Sequence, residues 1–284
     1  MNFVHPRAAS LPTLESLYEP IAEDLKAVRR LIRETVRENH LTLDDVNGHV
    51  FERWGKMLRP ALVLLSGRTV THAVGRNGDV NADRLRTLAT VVEMIHNSSL
   101  VHDDVLDRDD LRRSEPSLNA LYGDRVAVLA GDVLFSRAFG ILARTFEPEI
   151  TTPITDVTTA MCNAEILVAV NGKDGLSLDD YYRIIDMKTA GFMAVCCSSA
   201  ALVYGDERLA QRLHAFGLEF GRAYQIVDDT IDGDWDQVPG RSRELATAHV
   251  EKAWEQLSSI PESEDRARLG QLLDVVIARV EAGE

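Results

Sequence analysis

Asp103, Asp104 and Asp107 in the pentad DDVLD, and Asp228, Asp229 and Asp232 in the pentad DDTID, repeat one spacing about half a chain apart. On a helix the first and fifth positions stack on one face, and the second is rotated by roughly 100°. Each pentad therefore offers a comb of three closely set carboxylates. Anions that close repel unless a hard cation sits among them, and Mg²⁺ is such a cation. Two combs facing each other across a cavity would suit several Mg²⁺ ions and a polyphosphate. One pentad alone reads equally well as an acidic helix end in water. Two with identical spacing, each led in by an apolar run, argue for metal.

Cations gather near the acids. Lys56 and Arg59, in GKMLRP, fall at or just before a positive helix end, a good place for an anion. Arg112 and Arg113 follow the first pentad closely, and guanidinium forks take phosphate oxygens in pairs. A single histidine on a helix is more often structural. His96 stands out because it lies two turns before Asp103 on the same face. Lys188, followed by Thr189, sits mid-helix in apolar surroundings, where an unpaired ammonium is costly and a phosphate partner attractive. Gln225, Asp228, Asp229 and Asp232 form one stripe at i, i+3, i+4 and i+7. No Ser-His-Asp or Cys-His arrangement is evident.

The elements that must hold these residues read as helices. The chain has 284 residues, 45% of them hydrophobic and 6% aromatic, which suits a large helical core. Apolar periodicity predicts helices over 16–40, 60–74, 85–107, 125–146, 153–170 and 209–232, with a helix carrying Lys188 after an N-cap at Ser177. Two more follow over 242–258 and 263–281. Asn77-Gly78 and Pro239-Gly240 punctuate, and residues 1–14 read as a loose arm. No strand pair is convincing. The expectation is an all-α, single-domain helical bundle over 1–284.

A net charge of −14 argues against nucleic acid as a partner. Cys162, Cys196 and Cys197 lack zinc-site spacing and read as small core residues in a reducing compartment. No secretory signal is visible, and no uninterrupted apolar run reaches about 18 residues, so no stable membrane anchor is expected. The expected location is the cytoplasm.

GKMLRP at 55–60, EMIHNSSLVHDDVLDRDDLRR at 93–113, LAGD at 129–132, MKTAGF at 187–192 and GRAYQIVDDTID at 221–232 together resemble the trans-isoprenyl diphosphate synthases, or polyprenyl synthetases. The resemblance covers roughly residues 40–235, with a weaker tail. It implies a bundle of isoprenoid synthase type around a central cavity, and a homodimer. It implies condensation of isopentenyl diphosphate with an allylic diphosphate. By resemblance Asp103, Asp104, Asp107, Asp228, Asp229 and Asp232 hold Mg²⁺, with Asp103, Asp104, Lys188 and Asp228 central to catalysis. Arg112, Lys188, Thr189 and Gln225 then contact the allylic diphosphate. Lys56, Arg59, His96 and Arg113 cradle that of isopentenyl diphosphate. Ser98 and Ser99, where some relatives carry bulky aromatics, imply an open floor and a product longer than about twenty carbons.

The sequence departs from the family at two places. Relatives carry a long segment with a GKxxGxDLxxGKxTLP-like stretch after the second motif, and here GDWDQVPGRSR leads directly to the next helix. Arg241 and Arg243 stand where that segment's lysine would help, although a solvated helix start is the plainer reading. Val168 replaces a Gln or Asp of relatives. These departures favour one alternative, a catalytically weak regulatory subunit of a heteromeric synthase. A class I terpene cyclase is the other, and GKMLRP and DDTID count against it.

Overall fold

The computed structural model describes residues 11–52, 54–75, 81–172, 177–233 and 242–282. Asn77-Gly78, Pro239-Gly240, Arg241 and most of the N-terminal arm lie outside them. Among the described residues the chain is all-α apart from one short strand pair. The helices are α1 (Leu14–Tyr18), α2 (Ala22–Val36), α3 (Leu41–His49), α4 (Leu58–Ala73), α5 (Ala82–Asp107), α6 (Leu118–Tyr122) and α7 (Asp124–Thr145). After them come α8 (Pro148–Asn171), α9 (Leu178–Ile185), α10 (Gly191–Leu202), α11 (Glu207–Asp232), α12 (Ser242–Ser258) and α13 (Glu264–Ala282).

The long helices follow the predicted stripes, and the differences have local causes. Pro20 cannot donate a helical hydrogen bond, so the expected first helix breaks into α1, a 3₁₀ turn at Glu19–Ile21 and α2. α3 was not anticipated, because LTLDDVNGH has no clear apolar stripe. The expected absence of strands is corrected by β1 (Leu111–Arg112), which pairs antiparallel with β2 (Glu115–Pro116). Arg113 and Ser114 make the turn with φ of 54° and 64°. Two positive φ values are the mark of a type I′ hairpin, which usually announces itself with Asn-Gly.

The chain divides into two compact units, both discontinuous in sequence: 22–64 with 80–151, and 1–21 with 65–79 and 152–284. In the first, α5 packs on α2 and α7. Leu85, Leu88, Val92 and Ile95 of α5 are fully buried, as are Ala127, Leu134, Ala138 and Leu142 of α7. Truncating one such leucine to alanine removes about 2–5 kcal/mol of stability. α7 keeps apolar residues outside as well: Val128, Leu129 and Val133 are exposed.

In the second unit α11 packs on α10 and α12. A Cβ on Gly217 would stand 2.7 Å from Ala194 Cα, and one on Gly221 2.5 Å from Ala190 Cα. Glycine one turn apart thus lets two backbones touch. Between α9 and α10 the chain makes a π-helical turn at Asp186–Ala190. Arg222 of α11 anchors it, donating Nε to Asp186 Oδ1 and Nη2 to Asp186 Oδ2, each at 2.7 Å. His249 of α12 extends this network to Glu219 Oε2 at 2.5 Å and to the Tyr182 hydroxyl at 3.0 Å. By length and composition α7 and the stretch Leu178–Leu202 could each cross a membrane. The second is mostly core, and Asp132 and Arg137 interrupt α7.

Candidate active site

Both aspartate pentads close a long helix in the same way. α5 ends at Arg108 and α11 at Gly233, both in the left-handed region, and each cap N–H donates to the carbonyl of the pentad's second aspartate. The three carboxylates of a comb do not share one environment. Asp104 and Asp229 are buried, Asp103 and Asp228 are half-buried, and Asp107 and Asp232 are exposed. That division follows from the helix, because the second position turns away from the edge shared by the first and fifth.

In the first unit Arg112 reaches back from the hairpin and donates Nε to Asp104 Oδ1 at 2.6 Å, with Nη2 on the same oxygen. Burial raises the Asp104 carboxyl above its ordinary range, and the Arg112 bond offsets only part of that. Arg112, expected at a diphosphate, here holds the Asp104 carboxylate.

Three of the four residues expected to cradle a second diphosphate do come together. Arg59, in the first turn of α4, donates Nη1 to His96 Nε2 at 3.0 Å. An arginine cannot accept, so His96 carries its proton on Nδ1. Burial first, and then the charges of Arg59, Arg113 and Arg112, drive the imidazole well below its ordinary value, so the ring is neutral. Arg113 lies against Gly55, where an added Cβ would stand 2.5 Å from its Nη2. Lys56, the fourth, is exposed. Met57 beside it has a φ of 52°, an uncommon conformation for a non-glycine residue.

Sequence reasoning missed the counter-ion. Glu93 is buried, accepts from Asn97 Nδ2 at 3.1 Å, and feels Arg59, Arg113 and Arg29. Burial raises its carboxyl, and those cations pull it back. A signal existed: Glu93 is a lone charge in the apolar run TVVEMI, one turn before His96. Trp54 was also missed. Arg29 and Arg33 both lie 5.5 Å from its ring, adding positive charge to the same unit.

Ser98 and Ser99 part company. Ser98 is fully buried and donates to Gly131 O at 2.7 Å, so it stands in the seam between α5 and α7. Ser99 is half-buried and donates to His96 O at 2.8 Å.

In the second unit the Asp229 carboxylate accepts from the Tyr181 hydroxyl at 2.7 Å and from Gln225 Nε2 at 2.8 Å. Asp228 pairs with Arg279 of α13 at 2.7 Å, and that guanidinium lies 5.6 Å from the Tyr224 ring. Gln225, expected at a phosphate, here donates to Asp229. Lys188, which the sequence sets in apolar surroundings, is half-exposed on the π turn and pairs with Glu165 at 2.5 Å. Thr189 beside it is buried. Arg243 is exposed at the start of α12.

Among the described residues no three Asp, Glu, His or Cys side chains converge on one point. Mg²⁺ does not require that. It takes one or two carboxylates and completes its octahedron with water and phosphate oxygens. Each pentad supplies hard oxygen donors of that kind, so the donor set fits Mg²⁺ carried by a diphosphate.

Known proteins carry the same chain pattern. The prenyl transferase of Synechocystis sp. is 37% identical over 219 residues, which are 76% of this chain and 66% of that one. Heptaprenyl diphosphate synthase component 2 of Bacillus subtilis is 33% identical, over 76% of this chain and 60% of its own. The chain thus spans about two thirds or less of these two relatives. The crystal structure of a decaprenyl diphosphate synthase from Rhodobacter capsulatus superposes with a TM-score of 0.84 at 26% identity, over 94% of this chain and 99% of that one. It has the all-α isoprenoid synthase fold. Residues 40–238 match the family described as Polyprenyl synthetase, and the chain belongs to that family.

Proposed function

We propose that the chain is a Mg²⁺-dependent prenyltransferase. It condenses isopentenyl diphosphate with an allylic diphosphate to give trans-polyprenyl diphosphates longer than about twenty carbons. The cluster of Arg59, His96 and Arg113 carries this reading. It is a cationic place for a diphosphate, distinct from the carboxylates that suit a metal. Elongation needs two diphosphate sites, whereas cyclisation of one allylic diphosphate needs one.

Asp103, Asp104, Asp107, Asp228, Asp229 and Asp232 are the candidate metal ligands. Bound Mg²⁺ would stabilise negative charge on the leaving diphosphate. Arg112 and Lys188 are candidate cations for phosphate oxygens, each exchanging its carboxylate, Asp104 or Glu165, for them. Arg59, Arg113 and Lys56 hold isopentenyl diphosphate, and neutral His96 orients Arg59. The allylic C–O bond breaks, the isopentenyl double bond supplies the electrons of the new C–C bond, and a proton leaves to the departing diphosphate. The names of the heptaprenyl and decaprenyl relatives support a long product, and the small side chain of Ser99, in place of a bulky aromatic, is consistent with one. The exposed apolar residues of α7 support pairing with a second copy, and a cytoplasmic location without a stable membrane anchor fits the mostly buried stretch Leu178–Leu202.

A second reading has its own support. Similarity to a protein named as one component of a synthase favours a subunit that needs a partner. One assay separates the readings: purified protein with Mg²⁺, isopentenyl diphosphate and each short allylic diphosphate. Elongated diphosphates support the prenyltransferase. Turnover that requires an added subunit supports the second reading, and cyclic hydrocarbon overturns both.

A further inference from the structure

Tyr181 is fully buried on α9, where a phenol is costly unless its hydroxyl is bonded. That hydroxyl donates to Asp229 Oδ2 at 2.7 Å, while the Gln225 amide donates to Oδ1 at 2.8 Å. Both oxygens of the carboxylate therefore carry a neutral donor. Neutral donors fix the direction of a carboxylate without cancelling its charge. A cation such as Arg279, on the neighbouring Asp228, does both. An ionised carboxylate offers about four acceptor sites, so these two donors do not by themselves exhaust it.

The donor is itself well placed. Ser177 and Asp180 form a capping box at the start of α9, and Tyr181 is the next residue. Its ring sits 5.9 Å from that of Tyr182, whose hydroxyl contacts His249 at 3.0 Å.

We propose that Tyr181 is a positioning residue for metal–diphosphate binding: its hydroxyl holds the Asp229 carboxylate in the orientation that receives the cation. Gln225 is its counterpart on the other oxygen. The inference rests on Asp229 being a cation ligand, as in the proposed function. No proton moves and no bond forms at Tyr181.

Calorimetric titration of Mg²⁺ into the purified chain, with inorganic pyrophosphate present, reads binding without turnover. Outer-sphere partners of metal ligands are typically worth about 10–100-fold in affinity. Tyr181→Phe keeps the buried ring and is expected to weaken binding by about tenfold. Asp229→Asn is expected to weaken it further, and adding Tyr181→Phe on that background should change nothing more. A purely structural role for Tyr181 would lower the melting temperature and leave affinity unchanged. Wild-type affinity in Tyr181→Phe together with weakened Asp229→Asn overturns the positioning role and leaves Asp229 a ligand. Wild-type affinity in both variants overturns the ligand assignment too. Should Tyr181→Phe lose its cooperative melt, Gln225→Leu decides: weakened binding supports the clamp on Asp229, and unchanged binding overturns it.

Discussion

Glu93, His96, Arg59 and Arg113 show why single residues were only partly legible. His96 and the two arginines were visible because their chemistry and spacing relate them to the aspartates. Glu93 lies in plain sight within an apolar run, but its role depends on Arg59, more than thirty positions away in sequence. Two predictions follow from this cluster. Arg113→Ala should raise the Michaelis constant for isopentenyl diphosphate by about tenfold or more, equivalent to about 1.4 kcal/mol. Gly55→Ala should act in the same direction, because its Cβ meets the Arg113 guanidinium. Steady-state kinetics with each substrate varied in turn checks both, and an unchanged isopentenyl constant with a shifted allylic one would reverse the assignment. The second prediction concerns pH. The folded His96 titrates below its ordinary value of 6.5. Its contribution to stability is therefore full above that value. It is lost as pH falls through the folded value, because the unfolded chain takes up a proton that the fold refuses. Melting temperatures at about pH 7.5 and about pH 5.5 should fall less for His96→Gln than for wild type. Equal losses would contradict the neutral ring.

At the scale of elements, α5 and α11 were legible because their apolar residues recur at three- and four-residue steps right up to each pentad. The hairpin after α5 was not. Its turn places Arg113 and Ser114 at positive φ without glycine or asparagine, so local chemistry gave no sign of it. Ser114→Gly should relieve that conformation and raise stability by up to about 1 kcal/mol, read as a higher melting temperature. A lower one would show that the serine itself holds the turn. The Asp228–Arg279 pair joins α11 to α13 over a separation that no periodicity reveals. Arg279→Gln removes a cation that competes at Asp228. The Mg²⁺ concentration for half-maximal binding with inorganic pyrophosphate should fall, and a rise would show that Arg279 aids the metal rather than competing with it.

At the scale of the whole molecule, composition and periodicity carried the all-α class, since low aromatic content and long amphipathic runs leave little else. The division into two discontinuous units was not legible, because it depends on which helices pack together and not on any change in composition along the chain. The outward apolar residues of α7 looked like ordinary core in sequence. The pairing of α7 with a second copy, as proposed above, predicts that Leu129→Asp with Val133→Asp gives a monomer where the wild type sediments as a dimer, and a wild type that sediments as a monomer, or an unchanged coefficient in the variant, would contradict it. The central claim is that two aspartate motifs hold the metal for a two-diphosphate condensation. It is tested most directly by mass spectrometry of the products from isopentenyl diphosphate and an allylic diphosphate, for wild type, Asp103→Ala and Asp228→Ala at saturating Mg²⁺. Linear diphosphates of more than twenty carbons are predicted from the wild type, with each variant slower by two or more orders of magnitude, about 3 kcal/mol. Either variant working within about threefold of wild type, about 0.7 kcal/mol, would contradict it.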